Sequence, residues 1–313
     1  MSKDEYLLTD TPLKALTVFA MPMILGSFFQ QIYNMADSII VGQFVGSSAL
    51  AAVGACAALT NVFICVALGA GVGAGVLVSR YFGAREYGKM KTIVSTSLFS
   101  FLILSIVLGV FGFCFSHWMM SVLQTPGDIL NDAVLYLRVY FVGFPFLFMY
   151  NILSNMFTSI GESKIPLGLL IFSSILNIFM DLWMVAGLGL GVFGAALATL
   201  IAQGISVILC VIYIYLKTKI LIPDKRHFNV GKELYKELLG QGLSMGLMMA
   251  IVSSGTVILQ TAINGLGYLT IAGHTAARKL NSFCMMPIVA MSQSVSTFVS
   301  QNKGANQGER IRK

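Results

Sequence analysis

The apolar residues of this chain form long runs that are separated by short polar segments. A helix needs about 20 mostly apolar residues to cross a bilayer, and eight runs reach this length. None of them alternates apolar and polar residues with the period of two that a transmembrane β-strand requires. The pattern therefore predicts eight membrane-spanning helices, over residues 12–44, 49–79, 92–118, 129–159, 165–186, 192–216, 234–264 and 270–301.

Composition excludes the soluble and the disordered classes of protein. Hydrophobic residues make up 57% of the 313 residues and charged residues 11%, whereas soluble domains carry about 25% charged residues. Disordered chains are poor in aliphatic residues and rich in charge. The first ten residues lack the regions of a cleavable signal peptide, so the first apolar run is predicted to be a span. The predicted fold class is an all-α polytopic membrane protein.

Basic residues mark one side of the predicted spans. Of the 20 lysines and arginines, 17 lie in the N-terminal segment and in alternate loops, and the loops between these hold none. The positive-inside rule places the N-terminus and this basic side in the cytoplasm, next to the lipid headgroups of the bilayer. The net charge of +7 therefore reports membrane topology, and no nucleic-acid partner is expected. Three basic residues remain inside spans: Arg138, Arg278 and Lys279.

Residues that could support enzymatic chemistry are scattered along the chain. The five cysteines fall inside predicted spans and the three histidines are isolated, so no nucleophile–base pair or metal motif emerges. We expect neither an enzyme nor a cofactor. A glycine-rich run at 69–75 lies inside a span without a preceding strand, which favours close packing of helices through small residues.

An internal repeat relates the start of the chain to its end. A shift of 221 residues aligns them without a gap and matches the loop at 79–91 with the loop at 300–312. Because an even number of spans separates the repeats, both have the same orientation, as in transporters that are built from parallel repeats. We predict a six-helix N-lobe (1–217), a cytoplasmic linker (218–233) and the first two helices of a second lobe (234–313). A complete molecule would have about twelve helices, so the chain is expected to be a fragment.

Eleven of the 13 acidic residues lie in loops or at the ends of predicted spans, and the other two, Asp37 and Asp181, lie in span interiors. A charge at mid-bilayer costs about 2.5 kcal/mol or more, so such residues are functional candidates. Helical spacing places uncharged polar residues on the same faces as these aspartates, and similar polar faces occur on the fourth and sixth spans. These polar residues are Gln30 and Asn34 in span one, Ser174 and Asn177 in span five, Asn151, Ser154, Asn155 and Thr158 in span four, and Thr199 and Gln203 in span six.

If these polar faces meet inside one bundle, they form a cation site. Carboxylate, amide and hydroxyl oxygens are hard ligands that suit Na⁺, and two neighbouring carboxyl groups can also hold a proton. The alternative is that the polar groups stabilise helix packing by hydrogen bonds, worth about 0.6 kcal/mol each. Asparagine would serve that purpose at a lower cost than a buried aspartate. The sequence therefore favours a cation site at Asp37 and Asp181.

Proline inside a span marks a second candidate device. Pro22 removes a backbone hydrogen bond and kinks the first span, about four turns before Asp37. The kink is either static or a hinge that alters the helix that carries the aspartate. Arg278 and Lys279 lie about two turns into the last span, where they either extend to the membrane interface or line a cavity.

Four segments of the chain are similar to the multidrug and toxic compound extrusion (MATE) transporters, most of all to their bacterial DinF-like branch. They read AMPMILGSFFQQIYNMADSIIVG, SRYFGAREYGK, ILNIFMDLWMV and GVFGAALATLIAQ. The resemblance implies two six-helix lobes around a V-shaped central cavity. It also implies export of hydrophobic or cationic small molecules in exchange for inward H⁺ or Na⁺, by a monomer in the bacterial cytoplasmic membrane.

The resemblance also assigns roles to residues. The family's cation site corresponds to Asp37, Asn177, Asp181 and Thr199, with Asn151 beside them, and the bending of its first helix corresponds to Pro22. Residues expected to line the cavity are Gln30, Asn34, Ser154, Asn155, Arg278 and Lys279. The alternative function is a flippase for lipid-linked oligosaccharides or lipid II, which shares this architecture. A flippase needs cations to hold a pyrophosphate, and the buried carboxylates argue against it.

Overall fold

The computed structural model describes residues 5–123, 125–224, 227, 231–264 and 268–312. These residues form α-helices that are joined by short turns, and the described part contains no strand. The helices are α1 (Tyr6–Thr9), α2 (Pro12–Phe44), α3 (Ser47–Gly83), α4 (Tyr87–Val122), α5 (Gly127–Ser159), α6 (Lys164–Asp181), α7 (Gly191–Lys217), α8 (Lys232–Asn264), α9 (Tyr268–Gly304) and α10 (Gly308–Arg312).

The eight long helices, α2 to α9, lie over the eight apolar runs, which confirms the predicted all-α membrane fold. Seven of these helices are long and apolar enough to cross a membrane, within the residues that the structure describes. The 33-residue α8 is not among the seven, so its crossing stays a prediction. Several helices continue past the predicted ends, because a helix can project beyond the hydrocarbon core once a span is complete.

Local sequence explains where the helices begin and change. Pro12 is the first residue of α2, where its missing N–H would have no partner in any case. Between α2 and α3, Gly46 adopts φ +115°, a left-handed conformation that glycine tolerates best. After Asp181, α6 continues as a π-helix over Leu182–Gly187. This wider turn is typical of functional sites.

Helix α5 is the centre of the bundle formed by α2 to α7. It packs against α3, α4 and α7, while α2 packs against α6, and α6 against α7. Four phenylalanines of α5, at 141, 144, 148 and 157, are almost completely buried, and they anchor the main hydrophobic core. Burying a phenylalanine side chain contributes about 1.5–3 kcal/mol relative to an exposed one. The core of this bundle therefore holds α5 in a fixed position.

We expect Gly112→Ala to loosen the packing of α4 on α5. A Cβ at Gly112 would overlap the ring of Phe141, which is 1% exposed. Overpacking of this kind lowers the free energy of unfolding by about 1–3 kcal/mol, measurable by reversible denaturation in mixed micelles. In α6, Gly168 has nothing within 4 Å of the corresponding position. Gly168→Ala is therefore the control, and an equal loss in both variants would contradict the packing argument.

The helix bounds agree with the predicted shift of 221 residues. Helices α3 and α9 both have 37 residues, and their ends differ by the same shift. The turns that follow them match as well, because Arg85 and Asn306 have φ values of +58° and +57°. The glycine-rich run packs as predicted, since Gly69 and Gly73 of α3 touch Gly246 and Gly242 of α8.

The two repeats meet at the end of the bundle that carries the basic loops, which we call the basic face. A Cβ at Gly83 would overlap the carbonyl oxygen of Gln301, and a Cβ at Gly304 would overlap that of Arg80. The Gln301 Nε2 also donates to the Ser159 carbonyl oxygen at 2.7 Å. Gln301 is completely buried. The described helices are therefore in close contact across the basic face.

Candidate functional site

The aspartates at 37 and 181 lie together inside the α2–α7 bundle. Asp37 is on α2 and half-buried, whereas Asp181 ends α6 and is 0% exposed. Their carboxyl groups are within hydrogen-bonding reach of each other. An ionised carboxylate only accepts hydrogen bonds, so a hydrogen bond between two carboxyl groups requires a proton on one of them. The arrangement is therefore suited to hold one shared proton.

Asn177 and Thr199 connect the carboxyl pair to α6 and α7. Asn177 satisfies its neighbours when its amide nitrogen donates to Asp181 Oδ2 at 2.8 Å. Its amide oxygen then accepts from the Thr199 backbone nitrogen at 3.1 Å and from Thr199 Oγ1 at 3.2 Å. Asn177 is almost completely buried. These bonds fix one oxygen of Asp181 and leave its other oxygen available.

Each aspartate keeps one buried oxygen without a hydrogen-bond partner in the described part of the chain. These atoms are Oδ1 of Asp37 and Oδ1 of Asp181. A buried polar atom without a partner costs about 1–3 kcal/mol. Because both atoms are acceptors of the kind that Na⁺ and H⁺ prefer, the pair has the donor set of a small cation site.

Buried tyrosines lie near the carboxyl pair. Tyr33 lies one turn before Asp37 on α2, and both it and Tyr136 of α5 are close enough to interact electrostatically with Asp37. Tyr140 lies beside Tyr33, and its buried hydroxyl has no partner among the described residues. None of these three tyrosines was predicted from the sequence. The spacing of Tyr33 to Asp37 was a signal for the first, whereas tyrosines on α5 look like ordinary core residues.

Asn151 makes no hydrogen bond to the carboxyl pair within the residues that the structure describes. Its Nδ2 donates to the Leu147 carbonyl oxygen on its own helix at 2.8 Å. Asn151 lies three turns along α5 from Tyr140, which is about 16 Å at the rise of an α-helix. The other expected members of the cation site, Asn177 and Thr199, do lie beside Asp181.

A cavity of about 570 Å³ opens between α2, α5, α6 and α9. Gln30, Ser154 and Asn155 line it, as does Pro22, and its described lining carries no charged side chain. Asn34 is exposed and is not part of this lining. Methionine and polar side chains supply much of the remaining wall: Met23, Met285, Met286, Gln31, Tyr150, Thr158, Ser282 and Gln293.

A second cavity, of about 420 Å³, adjoins the first and lies between α3, α5, α8 and α9. Six residues line both cavities: Met23, Val72, Asn155, Thr158, Val289 and Gln293. Three methionines of α8 are in the wall of the second cavity, at 245, 248 and 249. Both repeats therefore contribute walls to two adjoining cavities whose described lining is uncharged and contains several methionines.

The basic residues inside spans have different positions. Arg138 is exposed on α5, where its Nε donates to Ser116 Oγ at 3.2 Å and its guanidinium lies 5.6 Å from the ring centre of Phe113. It lines neither of the two cavities. Arg278 and Lys279 belong to α9, but their side chains lie outside the described part of the structure.

Comparisons with known proteins agree on one family. The family model described as MatE matches residues 22–183 and 245–313. The probable multidrug resistance protein YoeA of Bacillus subtilis is 28% identical over 96% of this chain and 66% of its own length. The multidrug export protein MepA of Staphylococcus haemolyticus is 27% identical over 94% of this chain and 65% of its own length.

A solved structure has the same fold. It is described as the outward-facing conformation of a multidrug resistance MATE family transporter of the MOP superfamily. It is 26% identical to this chain, with a TM-score of 0.89 over 100% of this chain and 69% of that one. The chain thus spans about two thirds of the length of the curated relatives it matches.

Proposed function

Because the chain belongs to the MatE family of membrane transporters, we propose that it exports hydrophobic or cationic small molecules in exchange for an inward-moving cation. The observation that carries this proposal is the pair of carboxyl groups at Asp37 and Asp181 inside a membrane-spanning bundle. Members of this family are transporters rather than enzymes, and the curated relatives are named for multidrug resistance and multidrug export.

The carboxyl pair is the coupling site, and H⁺ is the coupling ion that it suits best. Loss of the shared proton leaves two negative charges in contact inside the bilayer, where charges are expensive. The deprotonated pair must therefore recruit a proton, bind Na⁺ with its free oxygens, or separate. Each outcome couples cation occupancy to the arrangement of α2 relative to α6.

Helix α2 links the cation site to the substrate cavity. It carries Asp37, and about two and four turns earlier it carries Gln30 and Pro22, both of which line the larger cavity. Pro22 cannot donate a backbone hydrogen bond, so bending of the helix is easiest there. Pro22 is the hinge through which a change at Asp37 alters the shape of the cavity.

The two cavities are the substrate site. Methionine side chains are flexible and polarizable, so they adapt to ligands of different shapes, and Tyr150 offers an aromatic face to a cation. A flippase of lipid-linked sugars would instead need basic groups for a pyrophosphate. The described lining of both cavities has no basic side chain, so drug-like hydrophobic or cationic molecules fit better.

The chain works as a monomer in the bacterial cytoplasmic membrane, with the basic face and the N-terminus in the cytoplasm. The excess of basic residues in the loops of this face supports the orientation. Contacts between the repeats close the basic face, and the similar solved transporter is described as outward-facing. The state described here is accordingly one that is closed to the cytoplasm.

Gradients imposed separately on vesicles test the proposal. Inverted vesicles that contain the transporter are placed in a solution of a fluorescent cationic dye. Dye uptake is then measured with either a proton gradient in the absence of Na⁺ or a Na⁺ gradient at equal pH. We expect the proton gradient alone to drive dye uptake, because the carboxyl pair is built to hold a proton. Vesicles without the transporter are the control. If neither gradient drives dye uptake, cation coupling is contradicted. If only the Na⁺ gradient drives it, coupling to H⁺ is contradicted.

A further inference from the structure

The segment before α2 lies across the basic face and contacts both repeats. We call residues 5–10, which include the short helix α1, the N-terminal clasp. It belongs to the first repeat in sequence, but much of its contact is with α9 and α10 of the second. Leu7 in its centre is completely buried. The clasp is thus an anchored part of the fold.

Arg310 and Asn302 hold the clasp from the second repeat. Arg310 donates to the carbonyl oxygen of Asp10 at 2.6 Å and to that of Leu7 at 3.2 Å. The Arg310 Nε donates to Asn302 Oδ1 at 2.9 Å, and the Asn302 Nδ2 donates to the same Leu7 oxygen at 3.2 Å. One guanidinium therefore satisfies two backbone acceptors of the clasp and orients the amide that supports it.

Apolar contacts reinforce these hydrogen bonds. Leu7 packs in a small cluster with Phe298 of α9 and with Ala15 and Phe19 of α2. The Arg310 guanidinium lies 5.7 Å from the ring centre of Phe298. The cluster is separate from the main core. It can therefore open without exposing the core of the six-helix bundle.

The other side of the clasp is tied to the first repeat. The Tyr6 hydroxyl donates to the Gly161 carbonyl oxygen in the turn after α5 at 2.9 Å. Burial raises the pKa of Tyr6, so the phenol stays protonated and remains a donor. Glu5 pairs with Arg85, in the turn after α3, at 3.0 Å. The clasp therefore ties the turns of the first repeat to the end of the second.

The clasp bridges the gap that must widen when the basic face opens. Opening requires the end of α9 to leave Gly83 of α3 and Ser159 of α5, which it now contacts. The clasp binds both sides of this gap, so it cannot keep its bonds to Arg310 and to Gly161 at the same time. We propose that the N-terminal clasp is a releasable lock that keeps the basic face closed. The hydrogen bonds from Arg310 are its main contact with the second repeat.

This inference rests on the proposed transport cycle, because a lock has a purpose only if the basic face opens. Hydrogen bonds to a charged group are about twice as strong as neutral ones, and Arg310 makes three. Loss of these bonds should raise the ratio of open to closed molecules at least about tenfold.

Spin-label distances test the lock without measuring transport. Labels at Lys89→Cys and Lys303→Cys report the separation of the two repeats, since both positions are exposed at the basic face. The five native cysteines are first replaced by alanine, and the protein is reconstituted in lipid nanodiscs. In Arg310→Ala we expect a second, longer distance to appear. Arg312→Ala, which removes an exposed arginine two residues away, should keep the distance distribution of the parent.

Tyr6→Phe provides a milder variant that keeps the ring and loses a single hydrogen bond. We expect the same longer distance at a smaller population. Folding is monitored by thermal unfolding of each variant, which separates release of the lock from general destabilisation. Parent-like distances in both Tyr6→Phe and Arg310→Ala would overturn the lock. Because no gradient or substrate is involved, this result would leave the proposed cation coupling intact.

Discussion

Asp37→Asn is expected to abolish cation-driven export while leaving the protein folded. The amide has the size of the carboxyl group and can still donate to Asp181, which lies within hydrogen-bonding reach. It cannot release a proton, and it brings no negative charge to a cation. The variant therefore stays in the arrangement that the occupied site favours, and the driving gradient can no longer act on it.

The loss should be large, because the proposed coupling depends on this pair. A coupling free energy of about 1–3 kcal/mol corresponds to a change of roughly 5- to 150-fold, so dye accumulation in energised vesicles should fall by at least about tenfold. Asp132→Asn, at an exposed acidic position, is the matched control and should be active. Asp181→Asn should fail in the same way. Full proton-driven accumulation by Asp37→Asn at equal protein level would refute the coupling role.

The sequence identified both aspartates because charge inside an apolar run is rare and costly. The same reasoning could not find Tyr136 and Tyr140, since aromatic residues are common in any core and carry no such cost, and only its spacing to Asp37 pointed to Tyr33. Asn151 shows a different limit. A helical face indicates which side of the helix meets the bundle, but the level at which it meets a partner depends on how the helices cross.

The fold was predictable to a similar extent. Apolar runs predicted the long helices, since each must hide its backbone from lipid within the helix itself. The glycine-rich run predicted close packing, but Gly246 and Gly242 as its partners emerge only from the structure. The π-helical segment after Asp181 has no proline or charge to signal it, so it could not be anticipated. The lobe boundaries stay predictions.

The largest effect on stability is expected for Gly304→Ala. A Cβ there would overlap the carbonyl oxygen of Arg80 and crowd the backbone of the next turn of α3. Backbone atoms cannot rotate away as a side-chain end can, so α9 must move away from α3. We expect the free energy of unfolding to fall by about 3 kcal/mol, measured by reversible denaturation in mixed micelles.

Gly83→Ala tests the same contact from the other repeat. The shift of 221 residues makes it the counterpart of Gly304→Ala, and its Cβ would overlap the carbonyl oxygen of Gln301. Either substitution separates the same two helices, so the double variant should lose much less than the sum of the single losses. Gly308→Ala, with nothing within 4 Å of the added Cβ, is the control. A Gly304→Ala protein as stable as this control, or fully additive losses, would show that α3 and α9 do not meet as described.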